Sequence, residues 1–157
     1  MTLSDIDISR FDTILLDRDG VINRLLPNDY VKEWSEFEFL PDVKKTLAEW
    51  ACRVRHIFVV TNQRGVGRGL MTEKQLEKIH KQMCEEIAAA GGRIDGIYYC
   101  TATTNEAPRR KPNRGMFDDI LRDFPDIQVD RTLMIGDSES DMRFAENCGI
   151  KGIMVSY

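Results

Sequence analysis

Hydrophobic residues along this chain fall into short, strand-length runs separated by longer segments of helical periodicity. The short runs are rich in β-branched and aromatic residues, a pattern that favours buried strands. They cover residues 11–16, 56–61, 97–101, 132–135 and 153–155. Because the clearest of these runs are apolar at successive positions, both faces of each strand must be covered, which is typical of a mostly parallel sheet.

Four segments between these runs carry helix signals. They span residues 41–50, 72–90, 115–124 and 138–147. Thr72 and Gln75 form a capping-box pattern, and Gly91 ends the apolar periodicity that follows. Pro41 suits the first turn of a helix, and Ser138 can cap the last one. The alternation of strand and helix predicts an α/β fold, a Rossmann-like sheet of about five parallel strands with helices on both faces.

Length and composition fit one compact domain over residues 1–157. The chain is 42% hydrophobic and 31% charged, and its formal net charge of −4 argues against broad nucleic-acid binding. It contains no apolar run near the roughly 20 residues that cross a bilayer and no secretory signal pattern. Its four cysteines are widely spaced and suit reduced thiols. We therefore expect a cytoplasmic protein without a membrane partner, and a monomer by default.

Polar residues stand directly after each of the first four predicted strands. They occupy positions 17–20, 61–63, 101–112 and 136–137. Ligands of open α/β sheets bind beyond the carboxyl ends of the strands, near the point where strand order reverses. We expect these segments to meet at one site.

Two carboxylates in the first of these segments suggest metal-assisted phosphate chemistry. Asp17 and Asp19 are two residues apart, so both side chains point the same way on an extended backbone. A phosphate dianion can approach them only if a cation is present, and Mg²⁺ prefers such oxygen ligands. Asp137 would supply a further ligand, and Asp141 lies one helical turn later. An isolated Asp-x-Asp is more often a solvated turn, but its combination with Gly-Asp-x-x-x-Asp favours the metal site.

Three other residues have side chains that suit a phosphoryl group. Thr61 and Asn62 offer a hydroxyl and an amide after the second strand, and Lys111 offers a compact positive charge. Taken alone, the first two are more often turn or cap residues, and a loop lysine is more often solvated. Their interest comes from their shared position at the strand ends.

Four segments, in order along the chain, resemble the four motifs of the haloacid dehalogenase superfamily. They are DRDGVIN from position 17, TNQRGVGRG from 61, RKP from 110 and IGDSESD from 135. The resemblance is to the capless branch that contains D-glycero-D-manno-heptose 1,7-bisphosphate phosphatase and histidinol phosphatase, and it extends over residues 11–155. It implies a magnesium-dependent phosphatase acting on a small phosphorylated sugar.

The resemblance also implies a role for each matching residue. Asp17 would be the nucleophile and Asp19 the general acid and base. Magnesium would be held by Asp17, the backbone oxygen of Asp19, and Asp137. Thr61 and Lys111 would stabilise the transferring phosphoryl group.

Two further residues would bind substrate, and both belong to matching motifs. Asn62 would lie beside the phosphoryl group, and Arg110 would recognise a second phosphate or a sugar hydroxyl pair. Arg109 and Arg114 enlarge the positive patch, with a surface role equally open. The expected reaction is hydrolysis of the 7-phosphate of a heptose 1,7-bisphosphate.

The chain departs from many members of this branch at their zinc-binding loop. Cys100 occupies the first ligand position, but Ala102 stands where a histidine is expected, and no further cysteine precedes Arg110. One cysteine cannot supply a tetrahedral ligand set. We therefore predict no zinc.

Several alternatives remain at this stage. A polynucleotide 3′-phosphatase shares part of the pattern, and Tyr30 and Trp34 could stack on bases, although the acidic balance opposes it. Histidinol phosphatase is a second enzymatic alternative. A nucleotide-binding loop is disfavoured because Leu70 breaks the glycine spacing. An inactive scaffold protein is disfavoured because all the expected catalytic residues are present.

Overall fold

The structure is a computed structural model that describes residues 1–157. Its five strands form one parallel sheet in the spatial order β3-β2-β1-β4-β5. The strands are β1 (Thr13–Leu16), β2 (His56–Asn62), β3 (Gly96–Cys100), β4 (Thr132–Gly136) and β5 (Lys151–Met154). The predicted parallel α/β sheet is confirmed, although β1 starts two residues later than its apolar run and β5 starts two residues earlier.

Five α-helices connect the strands. They are α1 (Val43–Ala51), α2 (Arg64–Gly67), α3 (Glu73–Ala89), α4 (Gly115–Asp123) and α5 (Glu139–Cys148), with short 3₁₀ turns at Leu3–Asp5, Trp34–Glu36 and Val129–Arg131. Thr72 and Ser138 cap α3 and α5 as predicted. The prediction for Pro41 is wrong, because Asp42 has a left-handed backbone with φ of 63° and the helix begins only after it. The four-residue helix α2 has no apolar periodicity and was not predicted.

The helices cover both faces of the sheet. Alternate residues of a strand point to opposite faces, so Ile14 and Leu16 pack in the core beneath α1 and α3. Leu15 packs in the second core, beneath α4 and α5. Strands β1, β2 and β4 are buried through most of their length. Burial of each such side chain contributes about 1.5–3 kcal/mol, which makes the strand ends a rigid base for a site.

Strand order reverses beside the first strand of the chain. Strand β1 pairs with β2 on one side and with β4 on the other. The loops that leave β1 and β4 therefore diverge and open a crevice between them.

No helix combines the length and the apolar character needed to cross a bilayer.

The long segment between β1 and α1 folds back over this crevice. An aromatic cluster anchors it: the ring of Phe37 stacks on Trp34 at 4.8 Å and meets Phe39 edge-on at 5.0 Å. Asn23 forms an isolated bridge with Phe39. The anchored segment supplies Leu25 and Tyr30 to one wall of the crevice.

Candidate active site

A cleft of about 380 Å³ lies beyond the carboxyl ends of the central strands. Most of its lining is polar. The predicted site residues on the lining are Asp17, Asp19, Asn62, Arg110, Lys111 and Asp137. Thr61 is absent from the lining: it is buried at the end of β2, where its Oγ1 accepts a hydrogen bond of 2.9 Å from Gln63 Nε2.

The only cation at the floor of the cleft is a buried lysine. Lys111 Nζ lies 3.0 Å from Asp17 Oδ1 and 2.7 Å from Asp141 Oδ1. Burial alone would lower the lysine pKa, but the two carboxylates outweigh that effect and raise it. Lys111 therefore keeps its charge.

Two of the carboxylates beside this lysine contact it, and a third, from Asp137, lies next to them. One oxygen from each of Asp17, Asp137 and Asp141 lies within 4.8 Å of the others. Burial raises the pKa of Asp17 well above its usual value, because Lys111 only partly offsets burial and the neighbouring carboxylates add to it. Burial and the charge of Asp141 raise the pKa of Asp137 to about 6. The three carboxylates thus have a single neighbouring cation, Lys111, to offset their charges.

Asp141 is the most firmly held of the three. Its Oδ1 accepts from Lys111, and its Oδ2 accepts from the backbone N–H groups of Asp137 at 3.1 Å and Ser138 at 3.3 Å and from the Ser138 hydroxyl at 3.1 Å. Burial opposes its charge, but Lys111 and these hydrogen bonds prevail and lower its pKa. Gly136 makes this packing possible, since a Cβ there would lie 2.2 Å from the Asp141 Cβ. Both carboxylate oxygens of Asp141 are therefore already engaged.

The carboxylate of Asp19 is held apart from this group. Its Oδ1 accepts from Arg18 Nη2 at 2.8 Å and Asn23 Nδ2 at 2.9 Å, and its Oδ2 accepts from Gln63 Nε2 at 2.9 Å. Burial opposes its charge, but Arg18 and the hydrogen bonds outweigh burial and lower the pKa. Sequence reasoning gave no role to these three donors. Arg18 and Gln63 each stand just after a strand end, and that position was the available signal.

Glycine allows the loop after β1 to approach β4. Gly20 has φ of 90°, a left-handed conformation that side chains rarely adopt. A Cβ at this position would lie 1.9 Å from Asp137 Oδ2. Any other residue here would displace Asp137 from the cleft.

Asn62 fixes the loop that carries the lysine. Its Nδ2 donates to the Lys111 carbonyl at 3.1 Å, and its Oδ1 accepts from the Lys111 N–H at 3.0 Å. These two hydrogen bonds join the end of β2 to the loop that carries Lys111. In this arrangement Asn62 positions Lys111, and its amide is engaged rather than free for a ligand.

Two arginines face the upper part of the cleft. Arg110 is largely buried, and its Nε and Nη1 donate to Asn105 Oδ1 at 3.1 Å and to the Ala102 carbonyl at 3.2 Å. Burial and the nearby charge of Arg64 lower its pKa. Arg64 of α2 lines the same cleft and was not predicted. Neither arginine has a carboxylate partner within salt-bridge distance, so both charges are available to an anion.

The remaining two arginines of the predicted patch are placed differently. Arg109 pairs with Asp119 at 2.8 Å, and Arg114 pairs with Asp118 at 2.8 Å. Both partners belong to α4, and neither arginine lines the cleft. Their charges are paired with carboxylates on the protein surface and do not face the cleft.

Comparisons with known proteins agree with this fold and site. A family model described as HAD-hydrolase-like matches residues 108–157. The D-glycero-alpha-D-manno-heptose-1,7-bisphosphate 7-phosphatase of Mycobacterium bovis is 40% identical over 135 residues, which is 85% of this chain and 71% of that protein. The D-glycero-beta-D-manno-heptose-1,7-bisphosphate 7-phosphatase of Rhodopseudomonas palustris is 35% identical over 146 residues, covering 87% and 79% of the two chains.

A solved structure extends the similarity to three dimensions. The D,D-heptose 1,7-bisphosphate phosphatase from B. bronchiseptica, complexed with magnesium and phosphate, superposes with a TM-score of 0.85 at 32% identity, covering 92% of this chain and 80% of that one. Fold and site together define a phosphoric monoester hydrolase of the haloacid dehalogenase type. More narrowly, the chain belongs to the heptose 1,7-bisphosphate phosphatase branch of that superfamily.

Proposed function

We propose that this chain is a magnesium-dependent phosphatase that removes the 7-phosphate of D-glycero-D-manno-heptose 1,7-bisphosphate through a phosphoryl group carried on Asp17. The observation that carries the proposal is the position of Asp17 at the end of β1, 3.0 Å from the buried Lys111. Two unpaired arginines stand above it in the same cleft. The names of the M. bovis and R. palustris relatives support the choice of substrate.

The carboxylates of the cleft suit a bound Mg²⁺. Three of them share a space 4.8 Å across with a single lysine, and such oxygen ligands are those that Mg²⁺ prefers. Asp17, Asp137 and the backbone oxygen of Asp19 would hold the ion. Because both oxygens of Asp141 are engaged, we assign that residue to supporting Lys111. When bound, Mg²⁺ would neutralise the charge that otherwise repels a phosphate.

The reaction would take place in two displacements. A carboxylate oxygen of Asp17 attacks phosphorus, and the bond from phosphorus to the sugar oxygen breaks. Because its lowered pKa leaves Asp19 ionised, the proton would enter with the monoanionic form of the substrate phosphate, and Asp19 passes it to the leaving oxygen. Water then attacks the phosphoryl group and passes a proton to Asp19, which frees inorganic phosphate and restores Asp17. Lys111 would stabilise the phosphoryl oxygens. Thr61, expected to share this role, is buried and bonded to Gln63 outside the cleft.

A second phosphate on the substrate would explain the two arginines. Arg64 and Arg110 repel each other across the cleft, and a phosphate dianion between them would remove that repulsion. Histidinol phosphate instead carries a cationic amine, which two arginines disfavour. A polynucleotide end would gain from stacking, but Tyr30 is the one aromatic side chain on the cleft lining.

The direct test is phosphate release with and without Mg²⁺ from three substrates at matched concentration. They are the heptose 1,7-bisphosphate, histidinol phosphate and a 3′-phosphorylated oligonucleotide. We expect magnesium-dependent release with clear preference for the bisphosphate. Preference for another substrate would contradict the substrate assignment, and no release from any would contradict the proposed phosphatase mechanism.

A further inference from the structure

A fully buried arginine lies behind Asp19. The side chain of Arg18 has no solvent exposure, and its Nη2 donates to Asp19 Oδ1 at 2.8 Å. Its guanidinium carbon lies 5.8 Å from the centre of the Phe37 ring. Its Nε has no hydrogen-bond partner. Few contacts therefore fix the guanidinium plane, and each of them matters for its orientation.

The remaining contact of this guanidinium is a histidine from the helix above it. His80 Nε2 lies 3.1 Å from Arg18 Nη1. Because a guanidinium can only donate, the imidazole nitrogen must accept and must carry no proton. Burial and the charge of Arg18 lower the pKa of His80 to about 3, which keeps the ring neutral at neutral pH. His80 is thus a permanent acceptor for Arg18.

The position of this histidine on its helix is unusual. The other buried residues of α3 are all apolar and face the sheet: Leu76, Ile79, Met83 and Ile87. His80 is also buried, with 5% exposure, yet it is polar. An apolar residue would fill this place but would leave the buried Arg18 Nη1 without an acceptor. The histidine instead provides a second anchor for Arg18, besides Asp19.

We propose that His80 is a positioning residue, which holds Arg18 so that Arg18 in turn fixes the carboxylate of Asp19 towards the leaving oxygen of the substrate. This inference rests on the proposed function, in which Asp19 donates the proton to that oxygen. The chain of contacts runs from α3 through the buried guanidinium to the site, without reaching substrate or metal. Because its last side-chain contact is with the Asp19 carboxylate, we expect its main effect on catalysis to be on the proton transfer.

The test compares phosphate monoesters whose leaving groups differ in basicity, from 4-nitrophenyl phosphate to an alkyl phosphate. The constant kcat/KM reports the first displacement alone, and a poor leaving group needs the proton of Asp19 more than a good one does. In His80→Leu we expect kcat/KM to fall about tenfold for the alkyl phosphate and less than about threefold for the aryl one. His80→Gln, whose amide oxygen can accept from Arg18, should stay close to wild type.

Two controls separate the possible failures. His56→Gln changes the chain's other histidine, which lies at the start of β2, at the end away from the cleft. This change should leave kcat/KM for both esters unchanged. Asp19→Asn should show the steepest dependence on the leaving group, and a wild-type dependence there would refute the role of Asp19 itself. For folded His80→Leu, equal losses on both esters, or none, would overturn the positioning role. Equal behaviour of His80→Gln and His80→Leu would overturn the acceptor role.

Discussion

The charged residues at the two ends of the sheet are of the same types but differ in burial. At the amino ends of the strands, Arg131 Nε lies 2.7 Å from Asp12 Oδ2, and the side chains are 41% and 33% exposed. At the carboxyl ends, Lys111 Nζ lies 3.0 Å from Asp17 Oδ1, and the side chains are 3% and 13% exposed. The contact distances are similar, yet the two pairs have opposite consequences.

In the exposed pair one carboxylate faces one cation, whereas in the buried site one lysine is shared by two carboxylates. The hydrogen bond from Arg131 lowers the pKa of Asp12. Burial and too few cations raise the pKa of Asp17, because Lys111 must serve Asp141 as well. The distance of an ion pair therefore says little about its role. Burial and the ratio of carboxylates to cations distinguish a surface pair from a site prepared for a further cation.

The largest expected effect on activity comes from an Asp→Asn substitution, made at the carboxyl end of the sheet and, as its control, at the amino end. Asp17→Asn removes the proposed nucleophile and should lower the rate of phosphate release by at least roughly a thousandfold, because an amide does not attack phosphorus. Asp12→Asn should leave the rate within about twofold, since surface ion pairs contribute little. Both are measured as Mg²⁺-dependent phosphate release by folded protein. Turnover retained in Asp17→Asn would refute the mechanism.

The next effect comes from removing the cation at each end. Lys111→Met should reduce kcat by about 100- to 1000-fold, because the buried charge that would stabilise the phosphoryl oxygens is lost. Arg131→Met, the matched exposed change, should alter kcat by less than about twofold. Steady-state kinetics at saturating Mg²⁺ measure both. Equal effects of the two substitutions would show that burial does not distinguish the ends.

The sequence predicted the fold better than it predicted the interior of the site. Strand and helix positions follow from local periodicity, and apolar runs of strand length locate β1, β2 and β4 within two residues. The order of the strands in the sheet depends on pairing between distant segments, which no local pattern reveals. Helix α2 is too short to show a period, and the left-handed backbone of Asp42 comes from its turn rather than from its residue type.

Within the site, chemistry at strand ends was predictable, but the supporting contacts were not. Asp17 and Asp137 followed from their place after strands. The contacts around Asp19 were missed: its partner Arg18, and His80 behind that arginine, look like ordinary core or surface positions until the strands are placed. Thr61 is buried and bonded to Gln63 rather than facing the cleft, an orientation that its position at a strand end does not reveal.

A third comparison concerns two adjacent arginines. Arg110→Ala should lower kcat/KM for the bisphosphate by about tenfold or more, because it removes one of the two cations proposed to bind the second phosphate. The same change should affect a simple aryl phosphate by less than about threefold. Arg109→Ala removes a charge already paired with Asp119 and should change neither value. Equal losses on both substrates in Arg110→Ala would remove its recognition role.

A smaller effect concerns the pH dependence of stability without metal. A carboxyl group whose folded pKa is raised binds protons more tightly in the folded state, so its contribution to stability falls as pH rises from about 4 to about 6. Asp137, with a pKa of about 6, should show this loss, on the order of 1–2 kcal/mol. Added Mg²⁺ should reverse the loss, because it favours the ionised carboxylate.

This loss is measured as a difference between proteins, because other groups titrate in the same range. His80, with a pKa lowered to about 3, makes stability rise with pH up to about 6.5 and so opposes it. Urea unfolding in EDTA at about pH 4.5 and about pH 7 should show that wild type loses stability relative to Asp137→Asn as pH rises. A constant difference between the two proteins would contradict the raised pKa.

The smallest effect is expected at the amino end, where the pairs are exposed. Asp126 accepts from His56 at 3.0 Å and lies 3.0 Å from Arg55, and these partners lower its pKa. Its stabilising contribution is therefore present above about pH 4 and is lost as pH falls below that value, a pH dependence opposite to that of Asp137. Asp126→Asn should leave the urea midpoint at pH 7 unchanged within experimental error and leave phosphate release unchanged. A clear loss at pH 7 would show that exposure does not limit the strength of these pairs. A loss that grows at low pH would contradict the lowered pKa of Asp126.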